Sequence, residues 1–211
     1  NYFHRSLNKG ENLQKLGADL TKGKREGDVP YGTITSISES PLKFGLLYAG
    51  TDDGNVHISR DGGYTWALIS KKLPQHLWVS RVRASQHKEG RVYVTLNGYR
   101  FDHFAPYVFV SEDHGQTWQQ LGSNLPNEPV NVVIEDNVFD NIIYIGTDKG
   151  VYTSFNNGRS FMNMSHQLPN VPVHDLVIQK RENELLVGTH GRSIYVAKLS
   201  EVHKISGKLK Q

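Results

Sequence analysis

The chain contains no cysteine, which excludes disulfides and any thiolate metal centre. No run approaches the roughly 18 apolar residues that a membrane-crossing helix needs. Its ten histidines include no H-x-x-x-H or H-x-H pair, so the spacing of a zinc site is missing and no metal is expected. No cofactor motif is present, and none is expected to bind. Sustained helical periodicity is also absent, which leaves an all-β class as the only one the pattern supports. Excess charge of one sign is scarce, because 24 basic and 21 acidic residues leave a formal net charge of +3. Part of that excess lies in Lys22, Lys24 and Arg25 and part in Lys204, Lys208 and Lys210. These read as solvated segments rather than a phosphate-tracking stripe, so nucleic acid is not an expected partner.

What the sequence does contain is a repeat. The pattern S-x-D-x-G-x-T-W occurs as Ser59-Arg60-Asp61-Gly62-Gly63-Tyr64-Thr65-Trp66 and as Ser111-Glu112-Asp113-His114-Gly115-Gln116-Thr117-Trp118. Decayed copies run from Ser154 through Asn156, Gly158 and Ser160 to Phe161, and from Ser6 to Leu13. Gly10, Gly63, Gly115 and Gly158 stand 53, 52 and 43 residues apart. That period marks a supersecondary unit copied in tandem. Each box lies between two apolar runs and reads as a hairpin turn. Its Asp or Asn accepts backbone N–H bonds, its glycine supplies positive φ, and its terminal aromatic folds back between units.

Other landmarks keep step with the boxes. A β-rich run (33–37, 79–83, 130–134, 173–178) is followed by an apolar run ending in small residues (47–51, 92–95, 143–147, 186–189). After each of the three later boxes comes a short strand and then Leu-Pro, at 73–74, 125–126 and 168–169. Four strands per unit of about 40–45 residues is the pattern of propeller blades. The expected layout is a β-propeller of four-stranded antiparallel blades: a partial blade at 1–16, whole blades at 31–71, 78–122 and 130–165, and a partial blade at 172–199. A polar basic tail is expected at 200–211. Strand counting and the absence of an initial methionine predict the C-terminal part of a larger propeller, or a truncated piece of one. Unpaired strand edges at the partial blades predict an open arc, edge-to-edge self-association, or pairing with the rest of the propeller.

The strands are labelled A to D within a blade. Boxes join C to D and occupy one face of the disc, so B–C and D–A loops share the opposite rim. That rim is where a ligand is expected. It carries Asp52, Asp53 and Asn55 in the first whole blade and Asp148 and Lys149 in the third. His190 and Arg192 follow in the last, and an insertion at 97–107 presents Tyr99, Arg100, Asp102, His103 and Phe104. Aromatic faces beside carboxylates and amides suit sugar rings. Ordinary Asp-Gly and Asp-Lys-Gly turn chemistry is the favoured account of Asp53 and Asp148.

The boxes at 59–66 and 111–118 resemble the Asp-box, or bacterial neuraminidase (BNR) repeat, of sialidases, two-propeller xyloglucanases, sortilin-type receptors and a photosystem assembly factor. The runs Tyr48–Val56 and Gly188–Val196 resemble those of large bacterial glycosyl-hydrolase-like proteins with such repeats throughout. The resemblance implies a propeller and a secreted, periplasmic or cell-envelope setting. It transfers no catalytic set: there is no arginine-isoleucine-proline motif, the arginines match no triad, and no cysteine-rich module is present. The expected function is a non-catalytic binding or scaffold segment, with carbohydrate or a protein as its partner. The alternatives are part of a glycoside hydrolase using rim aspartates as acid and base, and a protein-assembly scaffold.

Overall fold

The computed structural model describes residues 1–23, 32–166 and 168–208. Lys24, Arg25 and Lys210 of the basic segments lie outside the described residues. β1 (Phe3–Arg5) and β2 (Gln14–Leu16) form a two-stranded hairpin. The first whole blade is β3 (Ile34–Glu39), β4 (Leu47–Thr51), β5 (Val56–Ser59) and β6 (Ala67–Leu68). The second is β7 (Trp78–Ala84), β8 (Val92–Gly98), β9 (His103–Ser111) and β10 (Gln119–Gln120). The third is β11 (Val130–Glu135), β12 (Ile143–Thr147), β13 (Gly150–Ser154) and β14 (Met162–Asn163). A three-stranded fourth blade holds β15 (Val173–Gln179), β16 (Glu184–Thr189) and β17 (Ile194–Lys198). Within each blade, strands pair antiparallel in sequence order. The chain is therefore an open arc of propeller blades.

In all four blades the inner strand slips register against its neighbour at one place: Ile34/Ser36, Val79/Arg81, Val130/Val132 and Val173/Asp175. One extra residue there bends the strand and increases its twist. Facing the bulge on the second strand are Gly50, Thr95, Gly146 and Gly188. A methyl group on Gly50 would lie 2.4 Å from Val79, and one on Gly146 would lie 2.6 Å from Val173. Glycine at these sites lets the next blade's inner strand press close.

The apolar cores lie between blades rather than within them. Tyr48, Val56 and Leu73 pack with Val79, Val94 and Phe109 between the first two whole blades. Tyr93, Val110 and Leu121 pack with Val133, Ile143 and Phe161 between the second and third. Ile134, Ile142 and Tyr144 pack with Leu176, Leu185 and Val187 between the third and fourth.

Two expectations need correction. The polar tail begins as a helix, α1 (Leu199–Lys208), which buries Leu199 and Val202 in the third interblade core. Its His203 Nε2 lies 2.8 Å from Asp136 Oδ2, a fully buried carboxylate that also accepts from Tyr144. Secondly, the insertion at 97–107 is largely strand rather than a connection between strands. β8 and β9 extend into it as a long hairpin whose tip, Tyr99–Phe101, is one 3-10 turn.

Candidate functional site

The boxes are built as turns. Asp61 accepts the Ser59 hydroxyl at 2.8 Å, the Thr65 amide at 2.9 Å and the Thr65 hydroxyl at 2.6 Å. Ser59 Oγ in turn accepts the Gly63 amide at 2.8 Å. The bonds donated by Thr65 hold the Asp61 carboxyl down at about 2. Asp113 repeats this with Ser111, Gly115 and Thr117, and its carboxyl is likewise held at about 2, chiefly by the Thr117 hydroxyl. In the decayed third box Asn156 accepts the Ser154 hydroxyl and the Ser160 amide, and Ser154 Oγ accepts from Gly158. Each box aromatic packs on the blade before it. Trp66 meets Gly17 and Phe3 of the first hairpin, Trp118 donates to the Ile69 carbonyl at 3.0 Å, and Phe161 buries against Leu121 and Gly122. A carboxylate that accepts this many bonds in a turn is a structural anchor.

On the opposite rim the candidate residues separate into two groups. Asp52, Asp53 and Asn55 are buried and committed to the main chain. Asp52 Oδ1 accepts from the Gly32 and Thr33 amides at 2.9 and 2.8 Å. Asp53 accepts from the Lys22 amide and the Thr51 hydroxyl, and Asn55 donates to the Leu20 carbonyl at 3.0 Å. These three therefore leave the set offered to solvent; they fasten the turn after β4 to Leu20, Lys22, Gly32 and Thr33. Asp148 ends a side-chain relay in which the Tyr99 amide donates to Asn97, Asn97 to Asn131 and Asn131 to Asp148, at 2.8, 2.8 and 2.9 Å. The relay fixes the hairpin of the second blade to the turn of the third. Lys149 Nζ lies 3.8 Å from the buried Glu128 carboxylate.

The second group is open to solvent and aromatic. Tyr99 is 62% exposed and Phe104 39% exposed, and their rings meet edge to face at 6.1 Å. His103 Nε2 lies 3.0 Å from the Tyr107 hydroxyl, and Asp102, at φ 53°, sits at the hairpin tip. Arg100 lies 5.0 Å over the Trp78 ring with its guanidinium 3.9 Å from Asp52. His190 and Arg192 stand apart on the exposed turn after β16, where the His190 ring rests against His174 at 5.4 Å.

Trp78, Asn97, Asn131 and Glu128 were not singled out as site residues. Trp78 opens β7 one position before the alternating run at 79–83, and the partners of Asn131 and Glu128 are set by blade packing. Only polar residues in otherwise apolar strand ends signalled the relay. Across the inner strands Arg81 donates to Asp175 at 2.8 Å and to the His174 carbonyl at 3.1 Å, tying the second blade to the fourth.

Box geometry and blade arrangement together define an Asp-box β-propeller arc. The BNR/Asp-box repeat profile matches residues 109–120, which include the box of the second whole blade. Among solved structures, the chain is similar to an ancestral GH74 enzyme (19% identity, TM-score 0.71), covering 93% of this chain and 27% of that one. It is similar to the GH74 xyloglucanase from Xanthomonas campestris (14% identity, TM-score 0.64), covering 81% and 30%. It is also similar to YCF48 bound to D1 peptide (15% identity, TM-score 0.56), covering 91% and 57%. The chain thus spans less than a third of the length of the two GH74 enzymes. No curated protein sequence matches it. No helix among the described residues is long and apolar enough to cross a membrane.

Proposed function

We propose that this chain is a non-catalytic, carbohydrate-binding propeller segment whose ligand lies on the rim beside the β8–β9 hairpin. The observation that carries the reading is the exposed pair Tyr99 and Phe104 on a hairpin that the Asn97–Asn131–Asp148 relay holds rigid. Aromatic faces fixed in this way stack on the C–H faces of a sugar ring, while Asp102 and His103 at the same tip can bond its hydroxyls. Similarity in fold to GH74 enzymes, one of them a xyloglucanase, supports a polysaccharide ligand.

Glycoside hydrolysis fits less well. It needs two carboxyl groups about 5–9.5 Å apart flanking the bond that breaks; Asp52 and Asp53 are buried and hydrogen-bonded to the chain and Asp148 accepts from Asn131, which leaves Asp102 as the exposed one of the four rim aspartates. A glycan array followed by calorimetry tests the proposal. We expect binding to a β-glucan oligosaccharide without release of reducing ends, weakened about tenfold by Tyr99→Ala or Phe104→Ala. Absence of any glycan ligand, or affinity unchanged in both variants, would refute it. Capture of a protein at this rim instead would favour the scaffold reading.

A further inference from the structure

The fourth blade stops one strand short. Among the described residues nothing pairs with the outer edge of β17. The repeat shows what this position receives in the other blades, because register aligns the blades residue by residue. Val151 and Thr153 of β13 face Gly146 and Tyr144, as Ile194 and Val196 of β17 face Gly188 and Leu186. Val151 and Thr153 are 3% and 5% exposed, whereas Ile194 and Val196 are 66% and 58% exposed. What covers Val151 is the fourth blade itself, packed against it through Val173, Leu176 and Val187. Ile194 and Val196 lie on the fourth blade's other face, alternating with Tyr195 and Ala197, and the missing fourth strand shows instead in the unpaired edge of β17.

Beside this edge lies a cavity of about 520 Å³ between the third and fourth blades, lined by Val151, Met164, Leu168, Val187 and Tyr195 among others. Its walls match an occupied site elsewhere in the chain. Met164, whose amide bonds the Val151 carbonyl, corresponds to Ile69, whose amide bonds the Val56 carbonyl. Leu168 corresponds to Leu73, and Val187 opposite Tyr195 corresponds to Val94 opposite Phe109. Between the first two whole blades those counterparts enclose Trp118. The cavity is the tryptophan socket of a blade that has no box.

We propose that this socket and the β17 edge together receive an extended peptide segment of a protein partner. The segment adds antiparallel to Tyr195 and Val196 as a fourth strand and seats one tryptophan or phenylalanine against Met164 and Leu168. Backbone hydrogen bonds along the edge supply affinity, and the aromatic pocket supplies selection. A second copy of this chain is a poor occupant. Its exposed hairpin already pairs β2 with a third-strand equivalent in β1, so docking would duplicate β17. The aromatic position of that hairpin's box is also Leu13.

The test uses a fluorescein-labelled peptide of residues 111–122, the chain's own box and fourth strand, titrated against the 211-residue protein by anisotropy. Saturable binding is expected, weakened at least about tenfold by Trp118→Ala in the peptide and by Val196→Lys in the protein. Since Val196 is exposed, that variant should keep the wild-type unfolding midpoint. Ala197→Leu, which fills the cavity, gives a second route to the same loss. Absence of saturable binding, or equal binding of the Trp118→Ala peptide, overturns the proposal. So does sedimentation showing an oligomer that Val196→Lys dissolves, because the occupant would then be a second copy.

Discussion

At the scale of single residues, buried carboxylates fasten one blade to the next. Glu135 of the third blade accepts from Ser85, the Gln86 amide, Arg91 and Tyr93 of the second, at 2.7 to 3.1 Å. Burial, then the adjacent Glu135 charge, pushes the Tyr93 phenol up. Removing one member of such a set strands the others without water. Glu135→Ala should therefore lower the unfolding free energy by about 3–5 kcal/mol, measured by urea titration; a loss below about 1 kcal/mol would contradict this.

The box aspartates make a different prediction because they are exposed. Their folded values near 2 lie below the unfolded carboxyl value of about 3.9. Their contribution is complete above that unfolded value and is lost as pH falls through the folded one. Between pH 5 and 2 the urea midpoint should drop, and drop less in the double variant Asp61→Asn/Asp113→Asn. Parallel curves for the two proteins would exclude the boxes as the source.

At the scale of elements, the strand-B glycines separate close approach from mere flexibility. Gly50→Ala and Gly146→Ala each drive a methyl into the next blade's valine, and overpacking of this kind costs about 1–3 kcal/mol. Gly188→Ala should cost little, because the nearest atom to its methyl is 3.5 Å away. Thermal unfolding of the three variants checks the contrast, and equal shifts in all three would defeat it.

The elements also show what could be seen beforehand. All four inner strands and the two intact boxes were legible, because period-2 alternation and turn chemistry are local properties. Helix α1 was not, since Leu199, Val202 and Ser206 are too few to make a helical stripe stand out in a polar segment. Asp52 and Asp53 looked like rim ligands because sequence reports residue type and not which amides lie within reach. Trp78, Asn131 and Arg81 acquire their neighbours only when blades assemble.

For the whole molecule, the question is what sets the curvature of the arc. The Arg81–Asp175 pair crosses the third blade, yet it is partly solvated, with side chains 29% and 56% exposed, and such pairs contribute about 0–1 kcal/mol. The interblade cores are the larger effect: truncating a buried leucine costs about 2–5 kcal/mol. Arg81→Ala should leave the small-angle scattering profile unchanged and stability within about 1 kcal/mol of wild type. Leu185→Ala, between the third and fourth blades, should destabilise several times more. The reverse order would make the ion pair the determinant of shape.

The inward fold of each box aromatic gives the chain a direction of assembly. Trp66, Trp118 and Phe161 each reach back to a unit made earlier. As the polypeptide leaves the ribosome, each of the three whole blades can latch by its box aromatic onto a unit already present, while its other face is covered only when the next blade arrives.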